Sequence, residues 1–247
     1  MRYLILSDMH ANADAFAAVL QRLRRKRFDV TLVLGDLVGY GAAPNQVVDA
    51  VRRLSGRVYS VRGNHDKVVA GIDDGSNFNT AALVAAMWTQ ERLTPANLRY
   101  LRELAAGPRE VDDEVTICHG SPLDEDAYVF SAYEAWEIFN RHRPRVTFFG
   151  HTHVASAFAL AGDNVRVALL RGASGTLRLE PGERYLLNPG SIGQPRDRDP
   201  RACYMTYDSD RQVVRWHRVS YPIGRAQQRI VKMGLPRVLA DRLALGI

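Results

Sequence analysis

The chain has 247 residues, 46% hydrophobic and 24% charged, with 33 Lys and Arg against 27 Asp and Glu for a formal net charge of +6. That apolar content with ordinary charge excludes disorder as the main state, and a chain of this length buries roughly three quarters of its unfolded surface without disulfides. Only Lys26, Lys67 and Lys232 are lysines, so the excess is one of arginine; it suits nucleic acid, anionic lipid or a small phosphorylated substrate, and equally a compositional habit. The N-terminal MRYLILSDMH is a short apolar run broken by Ser7 and Asp8 with no cleavage pattern, which reads as a buried strand over Tyr3–Leu6 and not as a signal peptide. Phe16, Leu20 and Leu23 then recur at helical spacing, followed by an apolar run at Val30–Leu34. A second helix opens on Pro44 and carries Val47, Val48, Val51 and Leu54 before a third run at Val58–Val61. Alternating strands and helices predict a βαβ arrangement with a largely parallel sheet.

No strand interrupts the stretch at about 67–110, where Asn77–Leu93 and Pro95–Leu104 read as two helices, the second capped by Thr94. This predicts a helical insertion over the sheet. Strands resume at Val115–Cys118 and Val146–Phe149, separated by a helix that Ser131 and Glu134 open as a capping box. Cys118 and Cys203 are too few for a disulfide framework, and no apolar run reaches the roughly 18 residues that span a bilayer, so a cytoplasmic protein with no membrane partner is expected. Short segments at 155–160, 165–170, 176–179, 184–187, 202–207 and 213–219 alternate with Gly, Asp, Asn and Pro, and suggest a mostly antiparallel second sheet packed on the first. A tail at about 224–247 divides into two short helices at Gly234 and Pro236. One domain over 1–247 accounts for all of this.

Five of the predicted strands end in turns bearing metal-competent residues: Asp8-Met9-His10, Gly35-Asp36, Gly63-Asn64-His65-Asp66, Cys118-His119-Gly120 and Gly150-His151-Thr152-His153. In open α/β sheets ligands bind beyond the carboxyl ends of strands, so these turns are expected to converge. Asp and Asn after strands commonly serve as helix caps or turn formers, and a lone His is more often a satisfied polar residue than a ligand. Here five of seven histidines fall in these turns, leaving only His142 and His217 elsewhere. Carboxylates, imidazoles and an amide oxygen without thiolate form a donor set for Mn, Fe, Co or Zn, and a poor one for Ca or an iron–sulfur cluster.

The ordered series resembles the calcineurin-like metallophosphoesterase superfamily, whose pattern is Asp-x-His, Gly-Asp, Gly-Asn-His-Asp/Glu, His and Gly-His-x-His; all five blocks stand in order over residues 8–153. SDMHANADAF, LGDLVGYGAAPN, FGHTHV and LNPGSIGQPRDRDPRACY resemble its bacterial and archaeal YfcE-like phosphodiesterase/phosphatase branch. The expected fold class is α/β, a four-layer α/β/β/α sandwich of two mixed sheets with a helical insertion. The resemblance implies two divalent transition metals, Mn²⁺ first and Fe, Co, Ni or Zn as alternatives. Asp8, His10 and His153 would hold one, Asn64, His119 and His151 the other, and Asp36 would bridge them. His65 would be the catalytic proton donor or electrostatic stabiliser, oriented by Asp66. Arg196 would bind the substrate phosphate, with Tyr40 and Asn79 lining the leaving-group pocket.

The implied activity is hydrolysis of a small phosphodiester or nucleotide-type substrate by attack of metal-activated hydroxide. A nuclease or a dinucleoside-polyphosphate hydrolase are the alternatives within the fold, and a non-catalytic scaffold is disfavoured by the intact ligand set. The cluster Arg22, Arg24, Arg25, Lys26, Arg27 suggests nucleic acid but also complements the C-terminal end of the first helix, which runs away from the motif turns. The expected partner is therefore a small phosphorylated, nucleotide-like molecule ahead of a polynucleotide, with a homo-oligomer left open.

Overall fold

The computed structural model describes residues 1–247. Strand β1 (Arg2–Leu6) leads through a tight loop into α1 (Ala13–Leu23), capped by Asn12, whose side chain accepts the Ala15 N–H at 3.1 Å. After β2 (Val30–Val33), α2 (Pro44–Arg52) starts on a proline whose fixed φ suits the first helical turn. β3 (Arg57–Ser60) is followed by three helices, α3 (Asn64–Ala70), α4 (Thr80–Arg92) and α5 (Pro95–Arg102). The expected insertion thus carries one helix more than its apolar pattern suggested, because the Gly63-Asn64-His65-Asp66 turn itself opens α3. Asn77–Asn79 lie outside α4, and Asn79 is its cap. The chain continues through β4 (Arg109–Glu110), β5 (Val115–Ile117), α6 (Ala132–Arg141) and β6 (Val146–Phe148). The Ser131–Glu134 capping box opens α6 as expected.

Six further strands follow: β7 (Ser156–Ala161), β8 (Asn164–Leu169), β9 (Ser174–Arg178), β10 (Arg184–Asn188), β11 (Ala202–Asp208) and β12 (Val213–Val219). Helices α7 (Ile223–Lys232) and α8 (Arg237–Leu245) end the chain, with the break between them at Gly234 and Pro236. The late strands do not form a sheet of their own. One sheet runs β3-β2-β1-β11-β12-β9 and the other β4-β5-β6-β10-β7-β8. β11 lies antiparallel to β1, and β10 lies parallel to β6. Both sheets are therefore mixed, each built from half of the early strands and half of the late ones.

Side-chain alternation along each strand sets the layers. Tyr3 and Ile5 of β1 point into a core shared with Val146 and Phe148 of β6 and Tyr185 and Leu187 of β10, so the two sheets stack face to face. Leu4 and Leu6 point the other way, onto Phe16, Val19, Val47, Leu101, Ile230 and Leu239 of the helices. Leu186 on the far face of β10 packs beneath Ile138 and Phe139 of α6. The result is helix, sheet, sheet, helix, with the parallel strands of both sheets delivering their carboxyl ends to one edge. No helix is long and apolar enough to cross a membrane.

Candidate metal centre

Tight backbone turns build the site. Nine non-glycine residues have positive φ; five of them (Asp8, His10, Asp36, His151, His153) lie in the motif turns at the strand ends, and Ala11 and Tyr40 follow two of those turns. Asp and His tolerate the left-handed region better than most residues, and such conformations persist where the surroundings over-determine them. Here the determinants are backbone bonds between loops: His10 N–H to the Asp36 carbonyl at 2.9 Å, and Gly150 N–H to the His119 carbonyl at 2.7 Å. Gly63 permits a close approach, since a Cβ there would stand 2.1 Å from Asp36 Oδ1.

These turns bring the acidic and imidazole side chains together. The donor atoms of Asp8, His10, Asp36 and His153 all lie within 4.8 Å of one another, as do those of Asp36, His119 and His151, so Asp36 belongs to both groups. His153 Nε2 is 3.2 Å from Asp8 Oδ1, while His10 and His119 each place Nε2 at 3.4 Å from Asp36 Oδ2. Asn64 Oδ1 reaches the second group, 3.2 Å from His119 Nε2. Apart from half-buried Asn64, all of these side chains are buried.

The hydrogen bonds on the outer ring nitrogens fix what each imidazole presents. Nδ1–H of His10, His119 and His153 donates to the carbonyls of Val38, Leu34 and Gln194, at 3.0, 2.7 and 2.6 Å. His151 is turned the other way, its Nε2–H donating to the Asp126 carbonyl at 3.0 Å. A metal-bound histidine typically anchors its second nitrogen this way. Two bare Nε2 lone pairs, on His10 and His153, consequently face each other at 3.0 Å. No Lys or Arg pairs with Asp8 or Asp36, so only imidazoles are there to balance the two buried carboxylates. Burial pushes the Asp36 carboxyl up, but His119, His65 and His10 together hold it well below the carboxylate range. Burial likewise lowers His119, yet Asp36 beside it raises it to about 10. Burial dominates at His151, which falls to about 3. Facing lone pairs and unbalanced carboxylates fit divalent cations and the mixed N/O donor set of transition metals.

Residues 1–155 match the family described as calcineurin-like phosphoesterase. The chain belongs to that family. As a calcineurin-like phosphoesterase it is a metal-dependent phosphoric ester hydrolase. It is 34% identical over 249 residues to an uncharacterized protein of Methanocaldococcus jannaschii, the match covering 98% of this chain and 97% of the relative. The crystal structure of a metallophosphoesterase from Sphaerobacter thermophilus superposes with a TM-score of 0.86 at 39% identity, over 100% of this chain and 99% of that one. A hypothetical protein from Pyrococcus horikoshii OT3 shares the fold at 20% identity and a TM-score of 0.82, covering 100% and 98% of the two chains.

The phosphoesterase places its other sequence-predicted residues unevenly. His65 is buried beside the cluster, its ring centroid 4.3 Å from Tyr40, 4.4 Å from Phe78 and 5.0 Å from His10. Gly39 leaves it room, since a Cβ there would meet His65 Nδ1 at 2.4 Å. Asp66 does not orient that ring: His65 Nδ1 has no partner. Asp66 Oδ1 instead accepts the Leu37 and Val38 N–H groups at 2.9 and 3.3 Å, and Oδ2 accepts Gly63 N–H at 3.0 Å. Side chains at successive helical positions diverge, and a residue in the third position of α3 folds back on the cap. Arg196 donates to Tyr40 Oη at 3.2 Å and to Gln194 Oε1 at 3.1 Å, with its guanidinium over the Tyr40 ring. Asn79 lines the cavity beside His65 while its side-chain oxygen accepts the Ala82 N–H at 3.0 Å.

Several contributors lie outside the five ligand-bearing turns. Ser7 donates its hydroxyl to Asp8 Oδ2. Asn188 Nδ2 ties the Gly150 carbonyl to Thr152 Oγ1 at 2.6 and 3.1 Å, bracing the turn that carries His151 and His153. Tyr128 stacks on His151 from the loop before α6, where nothing in the sequence marks it.

Proposed function

We propose that the chain is a two-metal phosphoesterase hydrolysing a small phosphodiester or nucleotide-type substrate. The observation that carries the reading is the sharing of Asp36 between two buried donor groups. Asp8, His10 and His153 would hold one divalent ion, Asn64, His119 and His151 the other, with Asp36 between them; the donor set suits Mn²⁺ first. Bound ions of this kind supply Lewis-acid charge to a phosphoryl oxygen and lower the pKa of coordinated water towards neutrality.

The chain's own groups do the rest. Ser7 and the carbonyls of Val38, Leu34 and Gln194 hold the ligand side chains in one orientation, so little reorganisation accompanies the reaction. His65, buried beside the cluster with an unpartnered ring nitrogen, would hydrogen-bond the leaving or non-bridging oxygen. Arg196, half-buried and braced by Tyr40 and Gln194, adds positive charge on that side. The protein loaded with Mn²⁺ is expected to hydrolyse bis(p-nitrophenyl) phosphate. Asp36→Ala should fall to background, and His65→Ala should lose on the order of 10²–10³-fold in kcat, as loss of one stabilising donor typically does. Absence of turnover with Mn, Fe, Co, Ni and Zn alike would refute the reading.

A further inference from the structure

A cavity of about 210 Å³ opens beside His65 and His151, several times the ~30 Å³ share of a water molecule in the liquid. Aromatic rings wall it on two sides. Tyr128 stacks on His151 with centroids 3.9 Å and planes 16° apart, and Phe130, outside the lining, backs Tyr128 at 5.3 Å. Phe78, from the segment ahead of α4, lies across the cavity against His65 at 4.4 Å. Tyr128 is 45% exposed and Phe130 57%. Folding gains by burying such rings, so aromatic area left in water at the edge of a reaction centre marks a binding surface.

The polar part of the lining narrows the ligand. Asn77, Asn79, Asp73 and Asp126 border the cavity, and no Lys or Arg does. Lys67 is just outside, already paired with Asp126 at 2.5 Å and with Glu125 at 3.2 Å. A second phosphate entering here would meet carboxylates and no cation. An uncharged heteroaromatic ring would meet π faces and hydrogen-bonding amides.

We infer that this cavity receives the organic group of the ester and takes a single uncharged planar heterocycle, such as a nucleobase, against Tyr128 and Phe78. The inference rests on the phosphoesterase reading of the adjacent centre and sharpens it. Nucleoside esters with one phosphoryl group fit; a dinucleoside polyphosphate, which carries further anions beyond the scissile phosphoryl, does not.

Adenosine 5′-phosphate and ribose 5-phosphate, or their methyl diesters, share the reacting centre and differ only in the base. Stacking a base on protein aromatics corresponds to roughly 5- to 150-fold, the preference expected in kcat/KM for the adenosine ester over the ribose ester. Calorimetry on the Mn²⁺-loaded protein should show the same preference for adenosine over ribose. Tyr128→Ala should reduce either ratio to about threefold or less, and Tyr128→Phe, which keeps the stack, should retain it. Equal affinity for adenosine and ribose, or a Tyr128→Ala variant that weakens both alike, overturns the inference. Adenosine binding without hydrolysis of any ester supports the pocket and removes the phosphoesterase reading. Hydrolysis with no preference for the base does the reverse.

Discussion

Asp66 accepts backbone N–H bonds from Leu37, Val38 and Gly63, and so ties the loop carrying Asp36 to the first turn of α3. Asp66→Asn turns one of its acceptor oxygens into an NH₂ group facing a buried N–H. A buried donor left unsatisfied costs about 1–3 kcal/mol, so urea denaturation should show a loss of that size. Mn²⁺ affinity should fall with it, because the Asp36 loop loses its brace. Unchanged stability with abolished turnover would contradict this and restore Asp66 as a catalytic partner of His65. The error in pairing the two residues is instructive. Adjacency in sequence says which turn carries a side chain, and α3 then sends neighbours in different directions. The ligand residues escape this problem because each turn contributes only one or two side chains, and the position after a strand end largely settles where they go. Tyr128 was invisible for the opposite reason: an exposed aromatic in an irregular loop has neither a periodic pattern nor a motif to mark it.

At the scale of elements, α4 and the cavity meet at Asn79. Its side-chain oxygen caps the helix, which leaves only its NH₂ group for a ligand. Asn79→Ala should cost about 1 kcal/mol of stability through the lost cap. Asn79→Asp keeps the acceptor, so its melting temperature should stay near that of the unaltered protein while KM for a nucleoside ester rises. Thermal melts and steady-state kinetics on the two variants separate these roles, and an Asp variant with unaltered KM would leave Asn79 as a cap alone. Capping and helical spacing made α1, α2, α5, α6 and the two tail helices legible. The division of the late strands between the sheets was not. That β11 pairs with β1 as well as β12 is settled by contacts about 200 residues apart in sequence, and strand periodicity reports which face is apolar, not which neighbour it has.

Over the whole molecule, the densest basic cluster and the metal centre occupy different ends. Arg2, Arg25, Lys26, Arg27 and Arg215 surround a groove that also includes His217, with Arg2 at the first residue of β1 and Asp8 beyond its last. Six residues of extended chain span roughly 20 Å, more than twice the ~8 Å screening length at physiological salt. Arginine content therefore says little about the reaction; on the two-metal reading, the charge that governs it is that of the cations the centre would hold. The most direct test is the metal content of the protein after Mn²⁺ loading and gel filtration, measured by mass spectrometry. Two ions per chain are expected, with no more than one in Asp36→Ala, His10→Ala or His119→Ala. One ion or fewer in the unaltered chain would contradict a centre built around a shared Asp36.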